Sequence, residues 1–286
     1  MTLMFALQPH MEARRAQIET ALKRALPAEE TRPVTLHRAM RYAVFSGGKR
    51  LRPMLAMDAA AAVGAPAEAG LQPGLAVELL HTYTLIHDDL PCMDDDDERR
   101  GKPTCHIVFG EANAVLAGDA LQALAFEILS RAEMPALHTA ADLVRELAAA
   151  AGSRGVVGGQ VEDLAAPARP DAGTVEFVHL HKTADLFRCA MRMGAMAGGA
   201  KMDELRSLSA FATNLGLAFQ ITDDLLDEAP AQGTPGLTYL SLYSRTEALD
   251  KAQALIQSAI LELGSLSRGP TEALRATAGF VVSRTS

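Results

Sequence analysis

The residues best equipped for chemistry form two acidic clusters far apart in the chain, Asp88-Asp89-Leu90-Pro91-Cys92-Met93-Asp94 and Asp223-Asp224-Leu225-Leu226-Asp227. Each closes an apolar stretch with helical spacing. Carboxylates are hard oxygen donors. Two such sets facing one cavity suit several Mg²⁺ ions, which share their coordination shell with phosphate oxygens. A zinc site would instead gather histidine and cysteine. The pattern points to a diphosphate held through metal.

In the first cluster Asp88 and Asp89 end a helix. Asp94 lies six residues beyond Asp88, which would rotate it about 240° away on a continuing helix. Pro91 disfavours that continuation, and a bend there would return Asp94 to share a metal with Asp88. Taken alone, the run Asp94-Asp95-Asp96-Asp97-Glu98 is more often a solvated loop. Arg99-Arg100 directly after it changes the balance, because guanidinium groups make forked hydrogen bonds to diphosphate. In the second cluster Gln220, Asp223, Asp224 and Asp227 fall at spacings of three, four and seven, along one helical face. Carboxylates at i and i+4 repel, and a bound cation would relieve that. A surface stripe is the bland alternative, weakened by the flanking Leu215, Leu217, Phe219, Ile221, Leu225 and Leu226.

Cations are placed to match. Gly47-Gly48-Lys49-Arg50-Leu51-Arg52-Pro53 sets three of them at a helix boundary, where backbone N–H groups also face an anion. His179-Leu180-His181-Lys182-Thr183 adds another beside a hydroxyl. His81 is seven residues before Asp88 and shares its face; by itself it would more often be a core histidine than a ligand.

The elements that must position these residues are helical. Periodicity predicts helices over Met11–Leu26, from Thr35 as cap to Gly47, and over Pro53–Val63 and Leu75–Asp89. Others are predicted over Asn113–Arg131, Ala136–Ala151, Val175–Gly199, Met202–Leu226 and Thr246–Leu263. No period-two strands and no internal repeat are visible. Four glycines in Gly152–Gln160 mark a helix break or a close helix contact rather than a phosphate loop, since no Lys-Ser/Thr follows. Several helices are apolar on more than one face, as in the centre of a bundle. The expected fold is all-α, a single domain over residues 1–286.

With 286 residues, 49% of them hydrophobic, the chain can build a full core. A formal net charge of −8 argues against a nucleic-acid partner. Cys92, Cys105 and Cys189 make an odd set without framework spacing, as expected of free thiols in a reducing compartment. No uninterrupted apolar run approaches the roughly 20 residues of a membrane span, and the apolar start is too short for a secretory signal. A soluble cytoplasmic protein is the expectation.

Taken together, these segments resemble the trans-isoprenyl diphosphate synthases, particularly bacterial farnesyl diphosphate synthases. The resemblance runs through Gly47–Pro53, His81–Asp97 with Arg99–Thr104, Phe109–Asn113, Leu116–Leu121, Gly158-Gly159-Gln160, His181-Lys182-Thr183 and Gly216–Asp227, in the family's order. It implies an all-α bundle around a deep central cavity, as a homodimer, with isopentenyl and allylic diphosphates as substrates. It implies three Mg²⁺ ions, or Mn²⁺, held by the two acidic motifs. Asp88 and Asp94, with Asp89, would be ligands on one wall. Asp223, with Asp224 and Asp227, would face them. Arg99 and Lys182 would hold the allylic diphosphate; Gly48, Lys49, Arg52, His81 and Arg100 would hold isopentenyl diphosphate. Lys182, Thr183 and Gln220 are the implied catalytic residues, the last two near the reacting carbons. In similar enzymes a bulky aromatic five residues before the first aspartate limits the product, so Tyr83, with Thr84 a turn below Asp88, implies mainly farnesyl diphosphate. Geranylgeranyl or geranyl diphosphate are the alternative products.

One departure stands out. The family carries a longer loop with two lysines after the second motif; here Glu228–Tyr239 is short and lysine-free, with Gly236 where the second lysine is expected. Either the chain lacks the loop and binds the allylic diphosphate more weakly, or a stretch is missing from the sequence at this point. The missing lysines also lend weight to a non-catalytic regulatory subunit, against which the two acidic motifs speak. A terpene cyclase would not need the Lys49/Arg52/His81 set.

Overall fold

A helix that is apolar on every side has nowhere to go but the interior. In the computed structural model of the chain that helix is α4 (Leu71–Asp88), whose Leu75, Ala76, Val77, Leu79, Leu80 and Ile86 are all buried. Each large side chain so buried contributes about 1.5–3 kcal/mol. The structure describes residues 5–167, 170–226 and 237–283.

Around α4 the bundle grows outward. α3 (Leu51–Ala62) and α6 (Glu111–Ser130) flank it; α10 (Asp185–Ala197) lies along α3, α11 (Met202–Leu226) along α10, and α12 (Arg245–Glu262) along α11. α1 (Leu7–Ala25) lies over α3 and α4, α2 (Val34–Val44) over α6, and α13 (Glu272–Ser283) over α11 and α12. α5 (Cys105–Phe109), α7 (Ala140–Ala151), α8 (Val156–Leu164) and α9 (Ala172–Val178) complete the helical set. The buried apolar side chains form one contiguous cluster, with Phe187 and Phe211 its bulkiest fully buried members.

The all-α expectation holds, and α11 begins where periodicity placed it and runs to Leu226, the last residue described before 237. Elsewhere the differences have local causes. α2 starts at Val34 directly after Pro33, with no side-chain cap from Thr35. α7 starts four residues later than expected because Thr139 and Asp142 form a capping box. Ser244 and Glu247 do the same for α12. The helix expected over Val175–Gly199 contains a π turn at His179–Ala184 between α9 and α10. The short α5, α8 and α13 have no counterpart among the expected helices. Nor does the hairpin of β1 (Glu98–Arg99) and β2 (Lys102–Pro103), whose Arg100 and Gly101 take φ of 57° and 74°. Two positive φ values suit the twist of a two-residue hairpin. By length and mean composition α6 would be apolar enough to cross a bilayer, though Glu111, Asn113, Asp119, Gln122 and Glu127 interrupt it, and it packs along α4. Its Val115 and Leu116 are exposed, as are Ile107 and Val108 of α5.

Cys105 and Cys189 lie inside the bundle, whereas Cys92 is exposed. Burial pushes the Cys105 thiol up to about 12 and raises that of Cys189 too, and the thiolate is the reactive form. A maleimide is expected to label Cys92 first, with Cys105 and Cys189 reacting only after unfolding. Peptide mass spectrometry checks this, and prompt labelling of Cys189 would contradict the packing.

Candidate active site

The last turns of α4 run along one cavity, of about 720 Å³. His81, Thr84, Leu85 and Asp88 point into it, as helical spacing requires. Asp89 is rotated about 100° further and does not line it. Its carboxylate, 4% exposed, accepts the Arg99 Nε–H at 2.6 Å. Asp89, expected as a metal ligand, here holds Arg99 and does not face the cavity. Past the helix end the chain doubles back: the Asp94 N–H donates to the Asp88 carbonyl at 2.9 Å. This is the bend expected at Pro91. Asp94 is exposed and outside the cavity lining, but its charge is felt at Asp88. Burial pushes the Asp88 carboxyl up to about 6; Lys182 pulls it down while Asp94 pushes it further.

The hairpin and the turn before α3 form the cationic side. Gly47 and Gly48 adopt φ of 119° and 123°, values open to glycine. The Gly47 carbonyl accepts Arg100 Nη1–H at 2.7 Å, and a Cβ on Gly48 would lie 2.8 Å from that nitrogen. Of the three adjacent cations, Arg50 is turned inward to Glu19, Glu78 and the Val44 carbonyl. Lys49 and Arg52 line the cavity, with Gly48, Arg99 and Arg100. The Arg52 guanidinium rests over Phe187, and its Nε has no hydrogen-bond partner among the described residues. Burial lowers Arg52 to about 10 despite Glu78 and Asp223. Burial and then Arg52, Arg100, Arg99 and Arg50 hold His81 far below the usual imidazole value, so it meets a ligand as neutral imidazole.

The π turn and α11 form the opposite side. Lys182, Thr183, Phe219, Gln220 and Asp223 line the cavity. The π turn adds a residue to one helical turn. Gly159 of α8 packs against it so closely that a Cβ there would lie 2.5 Å from the Lys182 nitrogen, which is the close contact expected of this glycine-rich stretch. Lys182 Nζ donates to Asp163 at 2.5 Å. Burial opposes its charge, but Asp163, Asp88 and Asp94 together raise its pKa. Asp224 points away from the cavity and is 5% exposed. Asp224, expected as a metal ligand, here accepts from Gln220 Nε2 at 2.9 Å and from the Tyr239 N–H at 2.7 Å. Asp227 and most of the lysine-free stretch lie outside the described residues.

Tyr83 and Thr84 part company. Thr84 lines the cavity. Tyr83 is buried outside its lining, with its ring 5.1 Å edge-on from that of His87. Sequence reasoning passed over Arg15, Glu78, Gln160 and Asp163. Gln160 lines the cavity with both amide atoms buried and unpartnered among the described residues; its place in Gly158-Gly159-Gln160 was the available signal.

A metal fits this donor set. Among the described residues no three His, Cys, Asp or Glu side chains converge into a ready-made site. Asp88 and Asp223 instead face one cavity whose remaining polar lining is largely cationic. Carboxylates supplying only part of a shell, with phosphate oxygens supplying the rest, are the usual Mg²⁺ arrangement.

Gly159→Ala would drive a methyl into the backbone carrying Lys182 and Thr183. The expected cost is about 1–3 kcal/mol of stability, read in a thermal melt, with a steady-state rate loss beyond that of an equally destabilising substitution far from the cavity. Unchanged stability and rate would contradict the contact.

The sequence model of the polyprenyl synthetase family matches residues 33–236. The farnesyl diphosphate synthase of Escherichia coli K12 is 42% identical over 294 residues, covering 96% of this chain and 97% of that protein. The geranylgeranyl pyrophosphate synthase 4 of Arabidopsis thaliana is 43% identical over 82% of this chain, and the match spans 63% of its own length. Among solved structures, an FPP/GFPP synthase from Zymomonas mobilis superposes with a TM-score of 0.87 at 43% identity, covering 96% of this chain and 98% of that one. Family match, fold and sequence identity agree: the chain belongs to the polyprenyl synthetase family, as a prenyltransferase of the trans-prenyl synthase type.

Proposed function

We propose that the protein condenses isopentenyl diphosphate head-to-tail with dimethylallyl and geranyl diphosphates, mainly to farnesyl diphosphate, with Mg²⁺. The observation that carries this is one cavity whose lining brings together Asp88 and Asp223 with Arg99 and Lys182, and Lys49, Arg52 and Arg100 with His81; the family resemblance assigns the first group to the allylic diphosphate and the second to isopentenyl diphosphate. A reaction of two diphosphates needs both.

Asp88, Asp94 and Asp223 are the proposed metal-holding residues. Bound metal supplies charge neutralisation on the leaving diphosphate. Arg99 and Lys182 bind the same diphosphate and favour cleavage of its C–O bond. The allylic cation is attacked by the double bond of isopentenyl diphosphate, aligned by Lys49, Arg52, Arg100 and neutral His81. The new C–C bond leaves a cation that loses a proton to the departed diphosphate. Leu51, Leu85, Val156 and Phe219 in the lining help keep out water, which would otherwise trap the cation as an alcohol.

Incubation with isopentenyl diphosphate, geranyl diphosphate and Mg²⁺ is expected to yield farnesyl diphosphate, and EDTA to abolish it. No elongation with full metal would contradict the reading, and a hydrocarbon from one substrate would replace it by a cyclase. Tyr83 lies outside the lining that Thr84 reaches, but the family resemblance makes it the chain-length residue, so Tyr83→Ala is expected to give longer products. An unchanged product pattern by chromatography would leave chain length to the Thr84 side. The exposed apolar run Ile107, Val108, Val115 and Leu116 supports a homodimer through α5 and α6. Light scattering is expected to give a dimer mass that Leu116→Asp lowers to the monomer; a wild-type monomer would refute it.

A further inference from the structure

Asp224 stands beside the proposed metal ligand Asp223, yet the structure gives it another role. Its carboxylate is buried and can only accept hydrogen bonds. One oxygen faces Gln220 Nε2 at 2.9 Å, which fixes the orientation of that amide: its –NH₂ must point to Asp224 and its carbonyl away. The carbonyl then accepts from Thr183 Oγ1 at 2.7 Å. A threonine hydroxyl has one hydrogen, and here it is committed to Gln220. What Thr183 offers the cavity it lines is oxygen lone pairs, the negative end of its dipole.

We propose that Asp224 is a positioning residue that, through Gln220, turns the Thr183 hydroxyl oxygen toward the positive charge developing on the allylic carbon. This rests on the reading of Thr183 and Gln220 as neighbours of the reacting carbons, and adds what sets their polarity. The carboxylate is held from its far side by the Tyr239 N–H at 2.7 Å, and the Tyr239 ring stacks on Tyr243. His179 Nε2 lies 3.5 Å from the same oxygen. In a setting this dry, aligned dipoles reinforce one another.

The test is a double-mutant cycle read by single-turnover condensation. Asp224→Asn keeps the shape, but its amide can donate to the Gln220 carbonyl. Gln220 then turns its –NH₂ to Thr183, whose hydrogen is released toward the cavity. The expected loss is on the order of 10- to 100-fold in the single-turnover rate, with KM for both diphosphates within about twofold. Thr183→Val is expected to lose a similar factor, and the double variant no more than either single one. Gln220→Met cuts the link while leaving the Asp224–Tyr239 bond in place. It is expected to show the same loss with an unchanged melting temperature, which keeps the proposal testable if Asp224→Asn folds poorly. Losses that multiply in the double variant would mean that Asp224 acts only on structure, and would overturn the proposal. A silent Thr183→Val would refute the placement of Thr183 at the reacting carbon, and the proposal with it. An impaired Thr183→Val beside a fully active Asp224→Asn or Gln220→Met would refute the relay alone.

Discussion

Charge inside a helical bundle is tolerated only when it is paired, and this constraint divides the labour within every motif. Successive residues on a helix point about 100° apart, so the adjacent aspartates at the ends of α4 and α11 do not both face the cavity. Asp88 faces the cavity while Asp89 pairs with Arg99. Lys49, Arg50 and Arg52 all border it, but Arg50 spends its guanidinium on Glu19 and Glu78. Asp223 faces it while Asp224 receives Gln220 and Tyr239. In each case the inward neighbour holds the wall on which the outward one stands.

The same rule accounts for the state of the cavity-facing groups. Asp88 is pushed up to about 6 by burial, and Arg52 pulled down to about 10. Both are short of counter-charge, and they lie on opposite sets of the same cavity. A diphosphate with its cations offers positive charge to the first and negative charge to the second. Lys182, bonded to Asp163, is the exception: it must release or share that carboxylate to reach a ligand.

How much of this was legible depends on the kind of information. Helical periodicity revealed α4 and α11 because their apolar spacing is long and regular. Residue type and spacing revealed which clusters matter, and the proline at 91 revealed the bend that returns Asp94 to Asp88. Which member of each pair faces the cavity was hidden, because rotation about a helix axis is fixed by what lies across it. Asp89 could not be assigned without the hairpin that delivers Arg99, and that hairpin turns on Arg100 at positive φ, a residue with no turn signature. The π turn at His179–Ala184 was equally hidden: it packs against Gly159 of another helix, a contact that local periodicity does not carry. Tyr83 and Thr84, adjacent and read together, face different neighbours for the same reason.

The most direct measurement is anomalous scattering from Mn²⁺ in crystals soaked with a non-hydrolysable allylic diphosphate analogue. The account predicts metal bonded to Asp88, Asp94 and Asp223 and bridged by the diphosphate, with Asp89 still on Arg99 and Asp224 still on Gln220. Metal bonded to Asp89 or Asp224, or none between the Asp88 and Asp223 walls, would contradict it.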